Sequence, residues 1–198
     1  MYLRCNSNCA IASFISRLRK IPHVEIIRIG SRYPVLLPMR IMPEFCAMLE
    51  KYHPIWLNTH FNHPKEIMPE AAAACDRLLR HGIPVQNQSV LLKGINDDLD
   101  TMRSLLHELL KIRVRPYYPY HCDHVTGVSH FATSVEKGRE IMRGLLGHTT
   151  GFAVPQYIVT TKLGKIPLWE TQVHADEQGY WLENYQGETL RLAESEGY

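Results

Sequence analysis

An α/β fold with a parallel sheet is predicted by three features of this 198-residue chain. Four short apolar runs, rich in β-branched residues, recur at 24–29, 55–59, 84–92 and 114–120. Segments of helical periodicity separate them, so strand–helix units repeat about every 28–30 residues, as βαβ crossovers do. Each run also ends in polar side chains: Gly30, Ser31 and Arg32; Asn58, Thr59, His60, Asn62 and His63; Lys93, Asn96 and Asp97; His121, Asp123 and His124. In parallel β/α proteins the loops at the carboxyl ends of strands share one face, where active sites are built. The chain therefore reads as an enzyme or a piece of one.

The elements follow in order. Phe14, Ile15 and Leu18 have helical spacing and mark the end of a first helix over 14–20. The run 24–29 is a buried strand. Pro43 opens the next helix at a favoured first-turn position, with Phe45, Met48, Leu49 and Tyr52 inward. A second strand spans 55–59. Pro69 opens a helix through Arg80, and Gly82 stops it. A third strand, 84–92, carries Gln86, Asn87 and Gln88. Asp98 or Asp100 then caps an amphipathic helix with Met102, Leu105, Leu106, Leu109 and Leu110 on one face. The fourth strand is 114–120. Ser134 caps a helix through Leu146, with Val135, Ile141, Met142 and Leu145 apolar. After Gly151 the rhythm changes: a strand over 156–160, a turn over 162–165, and a late hairpin of 180–185 and 189–192. Four β/α units do not close a barrel, and an open edge at the first strand is a liability. The missing strands come from another chain or segment, or the domain is incomplete.

Hydrophobic content of 45% and charged content of 21% are those of a globular protein, and the length suits one domain with a sizeable core. A net charge of +2 gives no reason to expect nucleic acid or a membrane surface as partner. No apolar run reaches the roughly 18–20 residues of a membrane span, and the first residues lack the pattern of a signal peptide. Five scattered cysteines, Cys5, Cys9, Cys46, Cys75 and Cys122, argue for free thiols in a reducing cytoplasm. Cys5 and Cys9 form a CxxxC pair without further partners nearby, so no metal site is assigned.

Four places carry residues suited to chemistry. His60 and His63 lie three apart beyond a strand: a metal pair or ligand wall, or one capping and one solvated histidine. Asn87, Gln88 and Ser89 interrupt an apolar strand, and buried amides need a partner, either ligand or backbone. In 113–124, the tyrosines can stack on a planar cofactor or pack inward, and Asp123 can pair with a substrate ammonium. Lys165, beside Gly164 and running into an apolar segment, is either a solvated turn lysine or the amine for a Schiff base to an aldehyde cofactor.

The runs 21–32, 56–64, 87–94, 114–123 and 147–151 resemble the lysine 2,3-aminomutase family of radical S-adenosylmethionine enzymes, and the similarity extends from about Ser13 to about Arg191. The resemblance implies a partial parallel β/α barrel over 13–155, of radical S-adenosylmethionine type with its N-terminal strands missing. It leaves 1–12 unmatched and places a small C-terminal β extension over 156–198. It implies a [4Fe-4S] cluster, S-adenosylmethionine and pyridoxal phosphate as cofactors, an amino-acid substrate, a homo-oligomer, and amino migration from C2 to C3.

Residue by residue, Lys165 matches the family's pyridoxal-phosphate lysine, after a loop shortened to Gly164 alone. Asp123 matches one of two acidic residues that hold the ε-ammonium of lysine, and the second falls at Thr160. His60 and Gln88 match positions resembling S-adenosylmethionine contacts, and Tyr120 matches an aromatic near both cofactors. The CxxxCxxC that ligates the cluster is absent, as are the family's zinc cysteines, with Asp98 at one partner position. The chain thus resembles the second half of an aminomutase, truncated or split, with a companion chain carrying the first half and no turnover alone. Two rivals stand beside this: a non-catalytic remnant or binding module, and a metal-dependent β/α hydrolase or aldolase using His60, His63 and His124.

Overall fold

The computed structural model describes residues 7–123, 125–161, 164–168, 173–176, 179–183 and 187–192. Its main sheet has six strands: β1 (Ile27–Gly30), β2 (Ile55–Thr59), β3 (Val85–Val90), β4 (Arg115–Tyr120), β5 (Tyr157–Thr161) and β6 (Gly164–Leu168). Strand order equals chain order. The first five are parallel, and β6 turns back antiparallel to β5. Stepping one place in the same direction each time, with a right-handed crossover, sends the helices to one face. The sheet curls into half of a β/α barrel.

The helices are α1 (Asn8–Leu18), α2 (Tyr33–Leu36), α3 (Pro43–Glu50), α4 (Pro69–Arg80), α5 (Leu99–Lys111) and α6 (Val135–Leu145). Side chains of Ser7, Asp98 and Ser134 cap α1, α5 and α6 by accepting from the backbone of Ala10, Thr101 and Lys137. The apolar core joins Ile15, Leu49, Leu78, Leu105 and Ile141 from the helices to Ile29, Leu57, Val85 and Tyr157 from the strands. Of the apolar residues of α6, Ile141, Met142 and Leu145 are buried and Val135 is 40% exposed; Gly138 is buried against the Tyr157 ring.

Three differences from the sequence expectation have local causes. The first strand begins at Ile27 rather than 24, because the Arg19 guanidinium takes the carbonyls of Val24 and Glu25, together with those of Tyr52 and Pro54. Those groups are satisfied by a side chain and need no ladder. Of the expected turn over 162–165, residues 162 and 163 lie outside the described residues, while Gly164, at φ +106, and Lys165, paired with Thr160, belong to β6. The late hairpin is part of a three-stranded antiparallel sheet, β7 (Val173–Asp176), β8 (Gly179–Glu183) and β9 (Thr189–Leu192). The helix expected to end over 14–20 is α1, which ends at Leu18, and Cys9 near its start is an exposed thiol.

Two prolines sit in β4, which has a strand on each side. A register shift between Asn87 and Gln88 of β3 leaves Tyr117 as the extra residue on β4, and this bulge puts Pro116 and Pro119 in the same phase. His121 donates its N–H to Ile158 of β5, so Pro119, two residues earlier, turns its nitrogen toward the same side. There β5 pairs with β4 only at Tyr120–Ile158, so few ladder bonds are lost.

Candidate functional site

Alternation along the strands separates two surfaces. Ile27, Ile29, Ile55, Leu57 and Val85 face the helices and are buried. Trp56, Asn58, Gln86 and Gln88 point to the opposite, concave face; Gly30, Asn58 and Gln86 share one register row. Beyond the β4 bulge, Tyr118 aligns with Gln88 and Tyr120 with Val90. Tyr117 and Tyr118 stack at 3.6 Å between centroids, an arrangement open to sequence neighbours only where a bulge breaks the alternation. Burial and the phenol of Tyr117 push the Tyr118 hydroxyl up to about 12, the hydrogen bond to Tyr117 being the first cause.

The concave face brings three expected residues together. Lys165 Nζ donates to the Tyr120 hydroxyl at 2.5 Å and lies 4.7 Å from the centroid of that ring. Gln88 Nε2 donates to the same hydroxyl at 3.2 Å. Gln88 is buried and Lys165 exposed, so the chain runs from the floor of the sheet to solvent. Thr160 lies across from Lys165 in the β5–β6 register and carries no charge.

His60 sits just beyond β2, half-buried. Burial, and secondarily the charge of Arg32, lower its pKa from 6.5 and favour the neutral ring. Arg32 is held by Glu66 at 3.0 Å, and the other oxygen of Glu66 accepts from the backbone of Asn62 and His63. Glu66 was not among the expected residues. Its signal is capping-box spacing: His63 Nδ1 accepts from Lys65 N while Glu66 reaches back three residues. His63 is thus a capping residue, and His124 lies outside the described residues. Asp123 is exposed beyond β4 and, among the described residues, is not joined to Lys165 by a hydrogen bond or ion pair.

The other amides divide. Asn87 takes the backbone alternative: its Oδ1 accepts from Phe61 N, and its Nδ2 donates to Phe61 O and Ser89 Oγ. Asn96 donates to the carbonyls of Asn62 and Val90 and accepts from Leu92 N. Asn58, 2% exposed, has neither amide atom partnered among the described residues. The described cysteines are free thiols: Cys46 of α3 and Cys75 of α4 are buried, and burial pushes their thiols up to about 11 and about 12. Among the described residues no group of three or more His, Cys, Asp or Glu side chains is placed to hold a metal ion.

No family model matches the chain. Over 195 residues, 97% of its length, it is 52% identical to an L-lysine 2,3-aminomutase of Fusobacterium nucleatum. It is 48% identical over 181 residues to a glutamate 2,3-aminomutase of Clostridioides difficile. The chain matches a partial region of the 2,3-aminomutases. It spans about half the length of the curated relatives it matches, 46% of the Fusobacterium protein and 43% of the Clostridioides one, and the matched part is of C-terminal type. In fold, the chain is similar to a domain of a pyruvate-formate lyase-activating enzyme from Bacteroides vulgatus. That likeness has a TM-score of 0.51 at 12% identity, covering 81% of this chain and 98% of that one. No helix of the described residues is long and apolar enough to cross a membrane.

Proposed function

We propose that this chain forms the C-terminal-type half-barrel of a radical S-adenosylmethionine 2,3-aminomutase, acting on an L-amino acid, lysine or a relative, in the cytoplasm. The observation that carries the reading is the Gln88–Tyr120–Lys165 chain on the concave face, within a sequence about half identical to such enzymes. Pyridoxal phosphate, when bound, supplies the carrier for the migrating amino group, and S-adenosylmethionine with its cluster supplies the hydrogen-abstracting radical.

The residues fit the first two groups. Lys165 presents an exposed primary amine, oriented by the Tyr120 hydroxyl and backed by its ring, as an aldehyde cofactor requires. Gln88 fixes that hydroxyl from beneath. The unpartnered amide of Asn58 offers a donor and an acceptor on the same face, where burial without a partner costs about 1–3 kcal/mol. His60, kept neutral by burial and Arg32, offers a ring nitrogen to S-adenosylmethionine, and Asp123 an open carboxylate to a substrate ammonium. The cluster does not fit: the described thiols are dispersed and the 198 residues hold no CxxxCxxC. Radical generation is assigned to a segment outside these residues.

The test is to incubate the purified protein with pyridoxal phosphate, reduce with borohydride and map the modified peptide by mass spectrometry. Stoichiometric modification of Lys165, lost in Lys165→Ala, is the expected result. Modification spread evenly over surface lysines, unchanged by that substitution, removes Lys165 as the anchor.

A further inference from the structure

Strand β2 carries an amide that the fold does not use. Asn58 is 2% exposed, and neither its Oδ1 nor its Nδ2 has a hydrogen-bond partner among the described residues. Nearby amides are engaged: Asn87 with the Phe61 backbone, Asn96 with Asn62 and Val90, and Gln88 with Tyr120. Arg32, Thr59, Arg103 and Thr133 each leave one buried polar atom unpartnered, whereas Asn58 leaves both a donor and an acceptor. A buried amide orphaned at both atoms is costly to keep, and it points to a partner from outside the fold. Its place is the concave face, one residue before the carboxyl end of β2. Gly30 and Gln86 flank it in the register row, and half-buried Trp56 precedes it by two residues on the same face. Neither flanking residue is charged; Arg28 pairs with Trp56 and Arg115 with Gln86, so neither arginine is a register neighbour of Asn58.

We infer that Asn58 reads the amino-bearing edge of the adenine ring of S-adenosylmethionine: its Oδ1 accepts from the 6-amino group and its Nδ2 donates to the adjacent ring nitrogen. The inference rests on the proposed S-adenosylmethionine reading of this face and adds a recognition residue to it. Three features select an aminopurine. A planar amide with both atoms free calls for a donor and an acceptor side by side, the bidentate pair that asparagine makes with adenine. The uncharged row of Gly30, Asn58 and Gln86 suits a neutral heterocycle, because a carboxylate or ammonium placed there would be desolvated without an opposite charge. Trp56 offers an aromatic surface to a planar ring from the same strand and face. Both amide atoms are shut off from solvent, so the ring reaches them by displacing a neighbour, and Gln86, half-buried and unbranched, is the neighbour able to swing aside.

The experiment measures binding of adenosine, and of purine riboside, which lacks only the 6-amino group, to the purified full chain by isothermal titration calorimetry. It is run on the parent and on Asn58→Leu, with urea unfolding of both proteins. The parent is expected to bind adenosine about tenfold or more tightly than purine riboside, since a site built around a hydrogen bond rejects the analogue that lacks the group. Asn58→Leu is expected to bind the two nucleosides alike. It is also expected to unfold at a urea midpoint no lower than the parent's, because the amide it removes has no partner within the described fold. A parent that binds neither nucleoside, or both equally, overturns the inference. So does a preference for adenosine that survives in Asn58→Leu, or a lowered midpoint, which would assign the amide to the fold. Modification of Lys165 by pyridoxal phosphate is read without any nucleoside, so this inference and the cofactor reading fail separately.

Discussion

Lys165 and Tyr120 meet across three strands: β6 carries the amine, β4 the phenol, and β5 lies between them in the sheet. The contact exists because β6 runs antiparallel beside β5 and sets Lys165 opposite Thr160 on the concave face. One hydroxyl thereby takes hydrogen bonds from both Gln88 and Lys165.

Tyr120→Phe isolates that hydroxyl. The ring stays, so the cation–π contact survives, but Gln88 and Lys165 lose their common acceptor. Lys165 is exposed, so its hydrogen bond contributes little to stability, and unfolding in urea is expected to shift by less than about 1 kcal/mol. Borohydride-trapped modification of Lys165 by pyridoxal phosphate is expected to slow several-fold, because the amine is no longer oriented. An unchanged rate would make the hydroxyl a bystander.

Asn87 is a structural amide. Its side chain serves both backbone groups of Phe61, fixing the loop that follows His60 at the end of β2. Asn87→Ala leaves a buried N–H and a buried C=O without partners, and a cost of about 2–4 kcal/mol in urea unfolding is expected. Gln88→Ala is expected to cost less than Asn87→Ala, since its recorded hydrogen bond goes to the hydroxyl of Tyr120 rather than to buried backbone. Equal costs would contradict this division.

The comparison of these two neighbours shows how far the sequence is readable. That amides within an apolar strand need partners follows from residue type alone. Which of them serves the backbone depends on the Phe61 loop folding back, a contact across 26 residues. The β/α order, Pro69 and Asp98 as helix openings, and Ile55–Thr59 were legible because local signals of period and capping set them. The strand character of Lys165 was hidden, because a short run with Pro167 in it carries no period, and its pairing with β5 is tertiary. Glu66 was hidden because a glutamate in a loop gives no sign that it holds Arg32 from β1's loop. The likeness to the aminomutases rests on runs of residue identity, which physical pattern does not encode.

His60 gives a pH prediction. Its pKa is lowered below 6.5 in the folded protein, first by burial and then by Arg32, so between the folded and unfolded values the unfolded chain binds more protons. The stability this contributes is full above 6.5 and is lost as pH falls through the folded value. His60→Gln is therefore expected to flatten the decline in stability below 6.5 relative to the parent, measured by urea unfolding across that range. Glu66→Gln is expected to displace the folded His60 titration, read by ring-proton NMR, because Arg32 loses its ion pair. A parent and a His60→Gln protein with parallel pH profiles would remove His60 as a buried neutral ring.

Gly138 of α6 packs directly against Tyr157 of β5. A Cβ on Gly138 would meet the Tyr157 ring well inside van der Waals contact. That ring cannot easily yield: Tyr157 is 1% exposed, and its hydroxyl is held at 2.7 Å by His121 Nδ1, on the residue that follows β4. Burial pushes the phenol up to about 12, so the neutral hydroxyl is present at all ordinary pH. Gly138→Ala therefore forces either α6 outward or the Tyr157–His121 pair apart, and a loss of about 1–3 kcal/mol is expected in urea unfolding. Moving that pair disturbs the end of β4, where Tyr120 holds Lys165, so the same substitution is expected to slow Lys165 modification. Tyr157→Leu removes the hydroxyl and the ring carbons that crowd the new methyl, and Gly138→Ala is expected to cost less in that background than in the parent, giving a favourable coupling in the double-mutant cycle. Strict additivity would place the strain elsewhere than at this contact.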